Sequence, residues 1–168
     1  MAASPSPIRE RALRAAAVLA ALVILALTTP SVFPYDFYTY YSAGSLANDP
    51  GPAAAYDIGA LNQRHRELHP GTGHRVGSFY YSPLFLVPAA ALARFDFEAA
   101  QMLNQVLILL ALGGIFYLVL EPGRPRWLLA LLFVVFVTAD PVRIQFVYQN
   151  WTSFLVLFVG LALRQTHR

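Results

Sequence analysis

The sequence predicts an all-α integral membrane protein, and its composition leads to that fold class. Hydrophobic residues make up 57% of the 168 residues, and the mean hydropathy is +0.51. Charged residues make up only 12%, about half of the share that a soluble domain uses to cover its surface. The apolar residues are also gathered into runs, which is typical of membrane-spanning helices.

Composition also excludes several kinds of chemistry. The chain has no cysteine, so disulfides, thiolate metal sites and thiol nucleophiles are ruled out. The net charge of +3 is scattered over loops and forms no basic stripe that would bind nucleic acid. All twelve basic residues are arginine, which, with abundant alanine and proline, indicates a bacterial genome rich in G and C.

The first predicted span is 12–29. Its apolar run, 15–27, follows a basic flank that contains Arg9, Arg11 and Arg14, so the positive-inside rule places the N-terminus in the cytoplasm. A secretory signal has a similar flank, but no small-x-small cleavage site follows this run. We therefore expect a retained helix.

Residues 30–82 form a long loop that we expect on the outer face of the membrane. Two short helices are predicted in it, at Asp36–Ala47 and Asp57–Leu68. The segment Asn48–Pro52 between them is rich in Pro and Gly, which is typical of a turn.

The apolar segment 83–95 is too short for a full crossing, at about 20 Å as a helix. We predict an interfacial or re-entrant helix there. The run 97–120 is long enough to span the membrane. It leads to Arg124 and Arg126, which suit the cytoplasmic side.

Two further spans are predicted, at 127–139 and 151–163, with a short outer loop at 140–150 between them. The chain is then a single membrane domain of four spans, a multi-pass protein of the bacterial plasma membrane with both termini in the cytoplasm. If 83–95 does cross the membrane, everything after it is inverted.

Asp36 is the candidate catalytic residue. A carboxylate beside a bilayer is costly unless it is solvated, paired or used, and a general base could take a proton from an acceptor hydroxyl. The alternative is structural, because Asp at the N-cap or in the first turn of a helix satisfies exposed N–H groups and suits the helix dipole.

Other polar and aromatic side chains on the same predicted outer side are candidates for substrate binding. Aromatic rings stack on sugars, and side-chain amides both donate and accept hydrogen bonds. Structural alternatives are an aromatic belt at the membrane surface and helix capping. The candidates are Tyr40, Tyr41, Tyr80, Tyr81, Gln149 and Asn150.

A cationic cluster in the outer loop consists of Arg64, His65, Arg66, His69, His74 and Arg75. Arginine suits bidentate contact with phosphate, so a lipid phosphate is one candidate partner, and a solvated helix face is the other interpretation. His65 and His69 have a metal-compatible spacing, but no third ligand is in register. We expect no metal and no other cofactor.

Short motifs then occur in a characteristic order. They resemble the "DF…YY.A", "PYD", "F.YPPLF" and "PV…GQ.N" segments of polyprenyl-phosphate-sugar-dependent glycosyltransferase family 87, of the GT-C type. Ala55 and Ser82 stand where the family has proline, and Tyr148 where it has glycine. The matching segments are Asp36-Phe37 with Tyr40–Gly44, Ala55–Asp57, Phe79–Phe85, and Pro141-Val142 with Tyr148–Asn150.

The resemblance implies transfer of a sugar, mannose or a similar one, from a polyprenyl-phosphate donor to a lipid or polysaccharide hydroxyl on the outer face. It also implies an inverting displacement without an obligatory metal, with Asp36 as the base. Members of the family have ten or more spans. We therefore expect this chain to be an N-terminal part, with the remaining spans elsewhere or on a partner chain.

The alternative function is a non-catalytic lipid-binding or scaffold subunit of the cell envelope, which keeps the outer loop without the chemistry. A transporter ranks below both, since no charged residue lies in the middle of a predicted span to line a pathway.

Overall fold

The structure is a computed structural model that describes residues 7–28, 34–120 and 126–166. No strand occurs in these ranges, which confirms the all-α fold class. The helices are α1 (Pro7–Thr28), α2 (Tyr35–Asn48), α3 (Ile58–Leu68), α4 (Pro83–Leu92), α5 (Phe97–Val119), α6 (Arg126–Thr138), α7 (Asp140–Tyr148) and α8 (Thr152–Thr166), with a 3-10 helix at Pro52–Tyr56.

The two short helices predicted in the long loop are present as α2 and α3, but the predicted loop at 140–150 was wrong. That segment is mostly helical, because Asp140 and Pro141 open α7, and an acidic residue and a proline both suit the first turn of a helix. Arg124, which we expect in the cytoplasm, lies outside the described residues.

The chain divides into two compact units. Unit 1 consists of Met1–Ser31 and Leu107–Arg168, and unit 2 is Val32–Val106. Helix α5 belongs to both, since its first ten residues lie in unit 2 and the remainder in unit 1.

In unit 1, glycines let neighbouring helices approach α5 closely. A Cβ atom on Gly113 would lie 3.0 Å from Leu22 of α1, and one on Gly114 would lie 2.9 Å from Leu157 of α8. From the other side, Gly160 of α8 faces Leu118. Small residues at such contacts are characteristic of helix packing in membranes.

Arg14 of α1 is held against the C-terminal end of α5. Its guanidinium donates a hydrogen bond of 3.0 Å to the carbonyl of Tyr117 and lies 4.3 Å from the centre of that residue's ring. The last carbonyls of a helix have no partner within the helix, and a cation there also suits the dipole. The arginine therefore completes the end of α5.

Unit 2 is built around α2. Helix α2 is buried on most of its surface, with Phe37, Tyr40, Ala43 and Gly44 among its buried residues. It packs against α3, α4 and the 3-10 helix. A surface helix buries only one stripe, so α2 is the core element of this unit.

The contact between α2 and α4 depends on Gly44. A Cβ atom at this position would overlap the carbonyl group of Ala89 and lie 2.9 Å from the backbone nitrogen of Ala90. The Asn48 side chain also donates a hydrogen bond of 2.9 Å to the Ala90 carbonyl. Backbone therefore lies directly on backbone at this crossing.

Polar side chains start the other helices of unit 2. The Asp57 carboxylate accepts hydrogen bonds from the N–H groups of Gly59 and Ala60 at 2.7 and 2.9 Å, and Ser82 precedes Pro83 at the start of α4. These are standard N-terminal caps. Their residue types fix where α3 and α4 begin.

Within the described residues, one helix is long and apolar enough to cross a membrane by length and composition. It is α5, with 23 residues and a mean hydropathy of 2.1 over its most apolar window. Helices α6 and α8 have 13 and 15 residues, or roughly 20 and 22 Å, against about 30 Å of hydrocarbon.

We predict that Gly44→Ala destabilises unit 2. In an unhindered helix this exchange stabilises by up to about 1 kcal/mol, but here the added methyl group overlaps the Ala89 backbone, which should cost about 1–3 kcal/mol. Thermal unfolding of the purified chain in detergent, followed by circular dichroism, measures the change. Gly77→Ala is the control, since a Cβ atom there meets nothing within 4 Å. Equal stability of the two variants would contradict the close crossing.

Candidate functional site

Asp36 lies in the first turn of α2 and is partly exposed. It is not the N-cap, a position that Pro34 occupies without a side-chain hydrogen bond. The favourable interaction with the helix dipole is still available to a first-turn carboxylate. Asp36 therefore sits where an acidic side chain is tolerated and where it can reach solvent.

One helical turn after Asp36, Tyr40 is paired with Tyr81. The Tyr40 hydroxyl donates a hydrogen bond of 2.7 Å to the Tyr81 hydroxyl, and the two rings meet edge to face with their centres 5.2 Å apart. Residues four apart share a helix face. The structure thus brings three of the predicted site residues into one neighbourhood, across more than forty positions of sequence.

The predicted aromatic residues differ widely in accessibility. Tyr40 is 1% exposed and Tyr41 is 7% exposed, and the Tyr41 hydroxyl donates to the Phe95 carbonyl at 2.8 Å. Tyr81 is half-buried, whereas Tyr80 is 89% exposed. Only Tyr80 and part of Tyr81 present a surface on which a sugar ring could stack.

Arg64 is engaged in holding α3 to the end of α2. Its guanidinium donates hydrogen bonds to the Ser45 hydroxyl at 3.2 Å and to the Asp49 carbonyl at 2.9 Å. It also lies 3.4 Å from a carboxylate oxygen of Glu67. With these three partners, Arg64 has few donors left for a phosphate.

A cluster of aromatic and histidine side chains lies beside α2, which we call the Tyr38 cluster. The Tyr38 ring stacks on Phe97 at 4.7 Å and meets His69 edge to face at 4.6 Å. His65 lies against the same tyrosine at 5.2 Å and is fully buried. The cluster joins α2, α3 and the start of α5, and no local pattern in the sequence indicates that Phe97 belongs to it.

Burial in this cluster disfavours the charged form of each titratable group. It lowers the pKa of His69 to about 4, with a further contribution from His65. Burial likewise lowers the pKa of His65, helped by His74 and Arg66. Burial raises the pKa of Tyr38 and of Tyr41. The charge of Asp96 raises the pKa of Tyr41 further. Both histidines of the cluster are therefore neutral at pH 7.

The two histidines have incomplete hydrogen bonding. Nδ1 of His65 and Nε2 of His69 are buried without a partner among the described residues, and Nε2 of His65 lies 3.3 Å from the Thr72 hydroxyl. No group of three or more His, Cys, Asp or Glu residues in the described part of the chain could hold a metal ion.

After α3, a glycine-containing loop borders a pocket, which we call the arginine pocket. The pocket has a volume of about 470 Å³. Gly71 and Gly73 adopt φ angles of +94° and +63°, a region that glycine enters readily. The lining residues are Arg66, His69, Gly71, Thr72, Gly73, His74 and Arg75.

This loop is fastened at its C-terminal end, at two adjacent residues. The Tyr35 hydroxyl donates a hydrogen bond of 2.6 Å to the Arg75 carbonyl. The Asn62 side chain accepts from the Val76 N–H at 3.1 Å and donates to the Val76 carbonyl at 3.4 Å. Tyr35 precedes Asp36, so the loop that bears Arg75 is tied to the residue next to the candidate base.

Gln149 and Asn150 lie in unit 1, at the junction of α7 and α8. Gln149 is 1% exposed and has a φ of +56°, an uncommon conformation outside glycine. The Asn150 side chain accepts from the Thr152 N–H at 2.8 Å, which is the capping role considered above. The other predicted site residues, including the exposed Arg66, lie in unit 2.

Comparison of the chain with protein-family models, with curated proteins and with solved structures finds no match.

We predict that acidification destabilises unit 2 through His69. An unfolded histidine has a pKa near 6.5, above the value of about 4 in the folded chain, so protons bind preferentially to the unfolded state. Stability is then complete above about pH 6.5 and falls, by up to about 3 kcal/mol, as the pH drops to 4. Thermal unfolding of the detergent-solubilised chain across this range measures the loss.

His69→Phe is the matched variant. It keeps an aromatic ring against Tyr38 and Phe97 and removes the proton-binding group. Its stability should depend clearly less on pH than that of the unchanged chain. An identical fall in both proteins would rule out His69 as the source.

Proposed function

We propose that this chain is part of a membrane glycosyltransferase that transfers a sugar from a polyprenyl-phosphate donor to a hydroxyl acceptor on the outer face. The observation that carries the proposal is the position of Asp36. It is a partly exposed carboxylate at the start of a buried helix, one turn from the Tyr40–Tyr81 pair. The order of motifs resembling glycosyltransferase family 87 supplies the class of reaction.

In the proposed reaction, Asp36 accepts the proton of the acceptor hydroxyl. The acceptor oxygen forms a bond to the anomeric carbon of the donor sugar, and the bond between that carbon and the phosphate oxygen breaks. The electron pair of the broken bond stays with the polyprenyl phosphate, whose charge changes from −1 to −2. The product is the inverted glycoside, and no metal or nucleotide takes part.

An exposed aromatic ring in unit 2 suits substrate binding. Tyr80 is an exposed ring beside Tyr81, and it offers an apolar face of the kind that stacks on sugars. Tyr40 and Tyr41 were expected to bind substrate, but both are buried in the core of unit 2. They fix α2, and thereby Asp36, rather than contact substrate.

The directions of the helices in unit 1 support the proposed multi-pass topology. Gly113 meets Leu22 while Tyr117, one turn later, meets Arg14, so α1 and α5 run antiparallel. The pairs Gly114 with Leu157 and Leu118 with Gly160 make α5 and α8 parallel. These are the directions required if α1 leads outward, α5 inward, α6 outward and α8 inward.

The second candidate function is a lipid-binding or scaffold subunit without catalysis. The burial of Tyr40 and Tyr41 favours it, because two predicted sugar contacts instead serve the packing of unit 2. In that case the exposed arginines would still meet anionic lipid, while Asp36 would serve only the dipole of α2.

Asp36→Asn should lower sugar transfer by about 100-fold or more, the usual loss when a general base is removed. Transfer of labelled sugar from polyprenyl phosphate is measured in membranes that contain the full-length gene product, at equal protein level. Asp57→Asn is the control, since asparagine caps a helix as well as aspartate does, and it should keep activity. Unchanged transfer in Asp36→Asn would favour the scaffold function.

The topology can be tested by single cysteines, because the chain has none of its own. Gly77→Cys in the proposed outer loop should react with a membrane-impermeant maleimide in intact cells. Gln165→Cys, at the end of α8, should react only after permeabilisation. The reverse pattern, or equal labelling of both positions in intact cells, would contradict the proposed orientation.

A further inference from the structure

We infer that the arginine pocket after α3 is a phosphate-binding site, held by Arg66 and Arg75 together with the loop Gly71–Gly73. The site uses only part of the cationic cluster that the sequence indicated, because Arg64 is bound elsewhere while Arg66 and Arg75 line the pocket. The inference rests on the proposed function only for the lipid-linked form of the phosphate.

Both arginines of the pocket are available to a ligand. Arg66 and Arg75 line the cavity and are exposed, and within the described residues neither side chain has a hydrogen bond or an ion pair. The nearby Glu67 is engaged by Arg64 and by Gln63. The positive charge of the pocket is therefore not neutralised by these neighbours, and two guanidinium groups suit the oxygens of one phosphate.

The loop supplies the remaining features of an anion site. Successive backbone N–H groups in a turn that includes left-handed residues can form a concavity for anions, and Gly71 and Gly73 have positive φ angles. His69 also lines the pocket, and its buried Nε2 has no partner among the described residues. That nitrogen is closed to solvent, so the phosphate contacts are assigned to the two arginines and the loop backbone.

A purely structural explanation accounts for only half of this arrangement. Arg66 lies in the last turn of α3, where a cation offsets the helix dipole. Arg75 lies outside any helix, yet its backbone is fixed by Tyr35 and by the neighbouring Val76–Asn62 pairing. Two cations held around one cavity of about 470 Å³ are better explained by an anionic ligand.

The position of the loop connects the site to Asp36. Tyr35 bonds to the Arg75 carbonyl at 2.6 Å and is the residue before Asp36. A phosphate in the pocket would lie at the same end of α2 as the proposed base. Under the proposed function, the arginines would stabilise the second negative charge that the phosphate gains when the glycosidic bond breaks.

Binding is tested with the full chain in lipid nanodiscs and two probes. Inorganic phosphate, titrated by calorimetry, represents a soluble source. Phosphatidylcholine vesicles with and without polyprenyl phosphate represent the lipid-linked source, with binding measured by flotation. Arg66→Gln with Arg75→Gln should weaken binding of at least one probe by about tenfold or more. The probe that binds identifies the source.

Two comparisons keep the outcome decisive. Arg94→Gln removes an exposed arginine elsewhere in unit 2 and should leave phosphate binding unchanged. If Arg94→Gln weakened binding as much as the double glutamine variant does, the effect would come from general surface charge and the inference would be wrong. Arg66→Lys with Arg75→Lys keeps the charge without the paired donors and should recover part of the affinity. Absence of binding to both probes by the unchanged chain would overturn the inference.

The two proposals fail separately. Asp36→Asn should bind phosphate normally, so loss of transfer with normal binding supports both proposals. Phosphate binding that depends on the two arginines, in a protein without transfer activity, would uphold the site and reject the glycosyltransferase. Transfer that persists unchanged in the double glutamine variant would reject the part of the site in sugar transfer and leave the proposed function standing.

Discussion

The contact of Gly44 with the backbone of Ala89 is the constraint on which unit 2 depends. Because no side chain separates the two helices there, α4 lies directly on α2, and the chain that follows α4 is brought to Tyr41, whose hydroxyl bonds to Phe95. The next helix then begins with Phe97 stacked on Tyr38. The contacts of Tyr41 with Phe95 and of Tyr38 with Phe97 therefore depend on the position of α4 on α2.

Burial of α2 concentrates its chemistry at one end. A helix that is covered on most sides offers solvent only its termini, and the C-terminal end of α2 is occupied by Arg64 through Ser45 and Asp49. The N-terminal end bears Tyr35 and Asp36, the first bonded to the loop of the arginine pocket. Packing therefore explains why the carboxylate that α2 offers to solvent lies at its N-terminal end.

Local sequence signals predicted the fold better than the site. Hydropathy, prolines and capping residues predicted α2 and α3, because these signals act within a few residues. Helix α7 was not predicted, because the pair Asp140-Pro141 is compatible both with a turn and with the first turn of a helix. The pairing of Tyr40 with Tyr81 and the three partners of Arg64 depend on contacts between distant segments. A single sequence contains no local pattern that reveals such contacts.

The fastening of the loop after α3 has a consequence for how this protein could diversify. Asn62 holds its C-terminal end through the backbone of Val76, and Tyr35 holds the adjacent carbonyl of Arg75. Since both attachments use backbone groups of the loop, they are indifferent to its side chains. Substitution of Arg75 can alter what the cavity accepts while its backbone attachment to Tyr35 remains, so ligand preference can drift over evolution without loss of the scaffold.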